Sequence, residues 1–334
     1  MNSTRNKLGI AVMVAGGSLV LAACGGQSGG SGSGASGDPA SGAVAVDGSS
    51  TVAPLTSVAA ELFQAQNSGV NVTVGTSGTG GGFEKFCRGE TDMNDASRPI
   101  EDDEKANCEK AGVTPAPLTV ANDALTVVVN KENTFATCLT TEQLEKIWAP
   151  KSEVTNWNQV DPSFPDEKLV LFGPGTDSGT FDYFTEAING EEGASRTDFT
   201  PSEDDNVIVQ GVAGSKGGLG YFGFTYYEEN ADKVNAVQID SGDGCVTPSV
   251  QSAQDGTYTP LARPLFVYPS IEALKSNPAF ASFLTYYVEN DATIAEQAQF
   301  IPLNDKQNAE LQTAFEKAMS DAGVPVSGAS PAAS

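Results

Sequence analysis

Val70-Asn71-Val72-Thr73-Val74-Gly75-Thr76-Ser77-Gly78-Thr79-Gly80-Gly81-Gly82-Phe83 begins as a strand and ends as a helix. Alternating valines give the period of two of a β-strand, and the loop that follows contains only glycine, serine and threonine. Its glycines cost chain entropy but let bare amides approach a ligand. Two other stretches repeat the plan. Ala43 to Val46 runs into Asp47-Gly48-Ser49-Ser50-Thr51-Val52-Ala53-Pro54-Leu55. Pro54 fits only a first helical turn, so this helix is expected to start close to Ser50 or Thr51. Lys168 to Phe172 runs into Gly173-Pro174-Gly175-Thr176-Asp177-Ser178-Gly179-Thr180-Phe181, where Ser178 and Thr180 bracket the expected cap.

Further strand-like runs lie at Leu125 to Asn130 and Gly220 to Thr225. Helical spacing recurs at Val52, Leu55, Val58, Leu62 and Phe63, at Phe181, Phe184 and Ile188, and at Phe280, Phe283, Leu284 and Tyr287. Strands alternating with helices predict an α/β architecture with mostly parallel sheets. The 334 residues suffice for two lobes with separate cores. No solenoid-type repeat interrupts the pattern.

A helix N-terminus offers unpaired N–H groups and a partial positive charge, so it can hold an anion without a full cation. Ordinary N-capping explains one such loop; three glycine-rich examples in one acidic chain point to a shared ligand. A fourth segment, Asp92-Met93-Asn94-Asp95-Ala96-Ser97-Arg98-Pro99-Ile100, carries Arg98, whose guanidinium suits a tetrahedral oxyanion. The plainer role for Arg98 is a surface pair with Glu101 or Asp102, worth little.

The formal charge of −25 disfavours nucleic acid and anionic lipid headgroups as partners. It also requires an anion site to work through local dipoles and hydrogen bonds. The chain has no histidine, so neither a Ser-His-Asp triad nor a His-bearing metal site can be assembled, and no cofactor or catalytic residue is expected. Gly26-Gln27-Ser28-Gly29-Gly30 matches a nucleophile-elbow pattern without the strand and helix it needs. Gly218 to Gly223 matches a dinucleotide pattern but reads as strand and turn.

At the N-terminus, Arg5 and Lys7 precede an uncharged stretch from Leu8 to Ala23, read as a signal peptide over residues 1–23. Leu21-Ala22-Ala23-Cys24 resembles a bacterial lipobox, which implies acylation of Cys24 and anchoring to the outer face of the cell membrane. Residues 24–42 read as a Gly/Ser-rich tether and 322–334 as a disordered tail.

Ser50-Thr51 with Pro54-Leu55, Gly78-Thr79-Gly80-Gly81-Gly82, Ala96-Ser97-Arg98-Pro99 and Asp177-Ser178-Gly179-Thr180 resemble segments of the bacterial phosphate-binding proteins that feed ABC importers. Gly218-Leu219-Gly220-Tyr221-Phe222-Gly223 and Pro260-Leu261-Ala262-Arg263-Pro264-Leu265 extend the similarity. The resemblance implies a two-lobed periplasmic-binding-protein fold of the second type, with a hinge and an enclosed anion. The expected division is residues 43–122 plus 262–321 for the first lobe and 123–261 for the second.

Carried over, Ser50, Thr51, Thr79, Ser97, Ser178, Gly179 and Thr180 become phosphate ligands. The resemblance fails at two positions. The family places an aspartate where this chain has Ser97 and an arginine where it has Pro174, so Arg98 and Asp177 are expected to supply the missing charges. A carboxylate there would receive a proton that phosphate keeps and sulfate lacks.

The implied role is delivery of inorganic phosphate by a monomer to membrane permease subunits of an ABC importer. Sulfate or arsenate carriage is the nearest alternative, and a surface lipoprotein or secreted phosphatase a more distant one. Four cysteines remain besides Cys24, allowing three pairings. Cys87 with Cys108 and Cys138 with Cys245 would keep each closed loop within one lobe.

Overall fold

The structure, a computed structural model, describes residues 41–325. The proposed signal peptide, Cys24 and almost all of the tether lie outside the described residues, as does the tail beyond residue 325. Among the described residues no helix is long and apolar enough to cross a membrane.

The first part of the chain forms β1 (Gly42–Gly48), α1 (Ala53–Gln66), β2 (Val70–Val74), α2 (Gly78–Cys87), β3 (Met93–Ala96), α3 (Asp102–Ala111) and β4 (Leu118–Asn130). The middle part forms β5 (Cys138–Thr140), α4 (Thr141–Trp148), α5 (Trp157–Val160), β6 (Val170–Gly173), α6 (Gly179–Asn189), β7 (Thr200–Pro201), α7 (Asp205–Gly214), β8 (Gly218–Gly223) and α8 (Phe224–Asn230). It continues with β9 (Val234–Ala236), β10 (Gln238–Asp240), β11 (Cys245–Val246) and α9 (Val250–Gln254). The chain returns through β12 (Ala262–Pro269) and closes with α10 (Ile271–Ser276), α11 (Pro278–Glu289), α12 (Asp291–Gln297) and α13 (Asp305–Ala322).

Nine strands make one sheet in the order β2-β1-β3-β12-β4-β8-β6-β7, with β9 added against β4, while β11-β10-β5 form a second. The expectation of mostly parallel sheets needs correcting, because parallel and antiparallel pairings are equal in number, five of each. The parallel pairs lie in the strand–helix–strand units at the flanks. At the centre the chain leaves on β4 and comes back on β12, and two strands running out and back side by side must be antiparallel.

β4 is longer than the sequence pattern predicted because it serves three neighbours, β12, β8 and, at its end, β9. Its first half pairs with β12 over Leu118 to Ala124, and its second half pairs with β8 over Leu125 to Val129. Apolar side chains accordingly gather into two cores on either side of this changeover. One joins Val44, Leu55, Phe63 and Val72 to Phe280, Phe283, Leu284 and Phe315. The other joins Leu125, Trp148, Trp157, Phe184, Tyr221 and Tyr258. The architecture is a two-lobed α/β periplasmic-binding-protein fold. A further strap crosses at Ile301, whose backbone exchanges both hydrogen bonds with Asn122 while its side chain packs in the second core.

Disulfides join Cys87 to Cys108, beside the buried rings of Phe83, Phe86 and Tyr268, and Cys138 to Cys245, which ties β5 to β11.

Candidate functional site

Three of the four hydroxyl-bearing segments meet at the carboxyl ends of the first lobe's strands, where open α/β sheets offer ligand sites. Gly48 makes the approach possible: its φ is +141°, and a Cβ there would stand 2.1 Å from the Asp95 carbonyl oxygen. The loop is then pinned by Ser49 N–H donating to that carbonyl at 2.9 Å. The helix α1 starts at Ala53, slightly later than expected, because residues 50–52 form a turn before it. Gly82 serves packing rather than a ligand, since a Cβ there would lie 2.5 Å from the Gly48 Cα.

Neither α1 nor α2 has a side-chain cap, so ordinary capping does not explain the serines and threonines in their loops. Thr79, in the first turn of α2, meets Ser97, just beyond β3: their hydroxyls are 3.1 Å apart, and Ser97 N–H donates to Thr79 Oγ1 at 3.2 Å. The third loop behaves differently. Ser178 does cap α6, accepting from Thr180 N–H at 3.2 Å.

The second lobe is closed onto the first. Thr51 Oγ1 donates to the Gly179 carbonyl at 3.3 Å, and Ser50 Oγ donates to Asp182 Oδ2 at 3.3 Å. Between them remains a small pocket of about 20 Å³. Ser49, Ser50, Thr51, Gly78, Thr79 and Ser97 line it from the first lobe. Asp182, Tyr183, Glu186 and Glu192 line it from the second, and Arg263 from β12. Clefts of about 460 and 490 Å³ lie elsewhere, on the outer side of α11 and around β9. Neither combines both lobes with a cation, and we therefore place the site in the smaller space.

The structure corrects the two expected charges. Arg98 is committed to Glu104, with Nη2–Oε1 at 2.8 Å and Nη1–Oε2 at 2.9 Å, and to Glu101 at 3.2 Å; it does not line the pocket. An arginine followed within six residues by the N-cap and first-turn carboxylates of a helix is satisfied locally. Asp177 is exposed and does not line the pocket. Thr180 instead lines a neighbouring interlobe cavity with Pro54 and Asp123.

The cation in the pocket is Arg263, from the Pro260-Leu261-Ala262-Arg263-Pro264-Leu265 segment. Its Nη2 donates to Thr51 Oγ1 at 3.0 Å, and its guanidinium carbon stands 3.4 Å above the Tyr183 ring. Asp123 approaches its Nε at 3.6 Å and Glu186 its Nη1 at 3.7 Å, both too far for full hydrogen bonds, so Nε is left without a hydrogen-bond partner. Of the three carboxylates that line the pocket, Asp182, Glu186 and Glu192, Asp182 is the one bonded to a first-lobe hydroxyl. Burial pushes its carboxyl up, against the opposing pull of Ser50 and Arg263. Burial, with Asp182 and Glu186 nearby, also pushes Glu192 up.

One signal would have found Arg263. Arg88, Arg98 and Arg196 each pair with an acid close in sequence, whereas Arg263 has no acid from Gly256 to Ser270. Arginine without a local partner is available for a distant one.

The chain belongs to the PBP superfamily, whose domain matches residues 33–291. Relatives named as phosphate-binding proteins are among those it matches. Phosphate-binding protein PstS of Staphylococcus saprophyticus is 40% identical over 301 residues, 89% of this chain and 90% of the relative. Protein SphX of Synechococcus elongatus is 50% identical over 266 residues, covering 79% of this chain and 78% of that protein. The crystal structure of a possible phosphate-binding protein from Planctomyces limnophilus shares 46% identity and a TM-score of 0.81, covering 84% of this chain and 99% of that one.

Proposed function

We propose that this chain binds inorganic phosphate between its lobes outside the cell membrane and delivers it to the permease of an ABC importer. The observation that carries the reading is the convergence of Ser50, Thr51, Thr79 and Ser97 with Arg263 in a pocket of about 20 Å³, which suits an anion of a few atoms and no larger solute. Hydroxyls supply directed donors, the turn at residues 50–52 and the uncapped first turn of α2 supply N–H groups, and Arg263 supplies the charge. From the second lobe, the Ser178 hydroxyl keeps its proton free to donate, and Gly179 lies against Thr51. The role is carriage, with no chemistry performed on the ligand.

Asp182 takes the selective role first expected of Asp177. An acceptor-only carboxylate favours an oxyanion that keeps a proton and opposes fully deprotonated sulfate. Arsenate shares phosphate's shape and protonation and remains a second ligand of the same site.

Closure pivots where β4 and β12 run side by side, at Asn122 to Ala124 against Ala262 to Pro264. The domain division drawn from the sequence is supported by the two cores that meet there. Anchoring through acylated Cys24 would hold the carrier beside its permease.

Calorimetric titration of the phosphate-stripped protein tests the reading, with sulfate as competitor and Asp182→Asn as comparison. Tight phosphate binding that excess sulfate does not displace, and sulfate binding gained in Asp182→Asn, are expected. Sulfate displacing phosphate from the wild type would redirect the assignment, and absence of phosphate binding would end it.

A further inference from the structure

Asp47 stands at the end of β1, just before the first hydroxyl loop, and is only 8% exposed. A carboxylate so near an anion pocket opposes the ligand electrostatically, so its presence calls for a separate reason. Its Oδ1 accepts from the Ser77 N–H at 3.0 Å and from the Ser77 hydroxyl, and its Oδ2 accepts from Lys85 Nζ at 2.6 Å. Burial alone would raise this carboxyl; hydrogen bonds from Lys85 and Ser77 outweigh it and hold the group below the usual range. Lys85 offsets the charge, while Ser77 is held in place.

Ser77 is the N-cap residue of α2, yet its side chain makes no capping bond. Serine at that position ordinarily accepts from the helix's first-turn N–H groups. Ser178, at the matching place before α6, does so. The two serines differ in backbone, with ψ 14° at Ser77 against 127° at Ser178, and Ser77 is held by the carboxylate through both its N–H and its hydroxyl. Gly75 belongs to the same arrangement, since a Cβ there would stand 2.4 Å from Asp47 Oδ2 and force the loop away.

We propose that Asp47 is a positioning residue: by holding the Ser77 hydroxyl off the first turn of α2, it reserves that turn's N–H groups for the bound anion. The inference rests on the phosphate reading of the pocket. One carboxylate thereby ties both first-lobe loops together, its own by chain connectivity and the second through Ser77.

The test is calorimetric titration of inorganic phosphate into the full chain, comparing wild type, Asp47→Ala, Asp47→Asn, Ser77→Ala and the double variant Asp47→Ala/Ser77→Ala. Asp47→Ala releases both the N–H and the hydroxyl of Ser77, letting its backbone turn to the extended geometry in which it caps α2, and should weaken binding about fivefold to tenfold, the equilibrium worth of one N-cap bond. Asp47→Asn removes the same charge but keeps an acceptor for Ser77, so it should lose less. The double variant, with no hydroxyl left to compete, should recover most of the affinity lost by Asp47→Ala. Ser77→Ala alone should bind at least as tightly as the wild type.

Equal shifts in Asp47→Ala and Asp47→Asn would show a charge effect and overturn the proposal. So would an absence of recovery in the double variant, or a tenfold loss in Ser77→Ala, which retains Asp47 and its pair with Lys85. Wild-type protein that takes up no phosphate would instead sink the phosphate reading, a result separable from all of these.

Discussion

Replacing Gly179 with alanine sets the stability of one helix against the closure of two lobes. Gly179 opens α6, and its carbonyl accepts the Thr51 hydroxyl across the cleft. An added Cβ would stand 3.0 Å from the Cα, N and Oγ1 of Thr51. Carbon atoms in comfortable contact lie about 3.5–4.0 Å apart, so the lobes would have to retreat by about 0.5–1 Å at this point. Overpacking of this kind costs about 1–3 kcal/mol. At about 1.4 kcal/mol per factor of ten, the phosphate Kd should rise about 5- to 150-fold.

The same substitution should leave the ligand-free protein at least as stable, because alanine is the better helix residue by up to about 1 kcal/mol and open lobes have no clash. Calorimetric titration reads the first effect, thermal unfolding without ligand the second, and solution scattering the loss of compaction on adding phosphate. An alanine variant that binds as tightly as the wild type and compacts equally would refute the reasoning, since Gly179 would then not lie at the closing contact.

Arg263→Lys keeps the charge but not the planar fork that reaches Thr51 and stacks on Tyr183, and should weaken phosphate binding about tenfold to a hundredfold by titration. Asp95, fully buried, has its carboxyl pushed up to about 8 by burial, opposed by Thr56, with Asp47 adding to the rise. Its contribution to stability is therefore complete below about pH 4, its unfolded range, and is lost as pH climbs toward 8. Asp95→Asn should flatten that decline in a series of denaturant unfolding curves. Replacing Cys138 and Cys245 with alanine opens a loop of 107 residues, against 21 for Cys87 and Cys108. Chain entropy puts the losses at about 4.7 and about 3 kcal/mol respectively, and the unfolding free energies of the two double variants should fall in that order.

The alternation of strands with glycine-rich loops and helices was enough to establish the α/β class and to mark the loops as anion-binding candidates. Those signals are local: period, turn chemistry and Pro54 each act over a few residues. The individual hydroxyls, Ser50, Thr51, Thr79 and Ser97, came from the resemblance to phosphate-binding proteins, and the structure gathers them around one pocket. Local pattern also misled. Arg98 and Asp177 were assigned roles because they adjoin binding segments, yet one is satisfied by Glu104 and the other faces solvent.

Tertiary structure alone decided the charges of the pocket. Arg263 reaches Thr51 across 212 positions of sequence, and Ser50 reaches Asp182 across 132. No periodicity spans such distances; they are fixed by β4 and β12 crossing together between the lobes. The antiparallel centre of the sheet has the same origin, since strand direction depends on where the chain returns and not on the residues within the strand. The sequence by itself determined which groups could bind an anion through short-range chemistry, and the path of the returning chain determined which charges would face them.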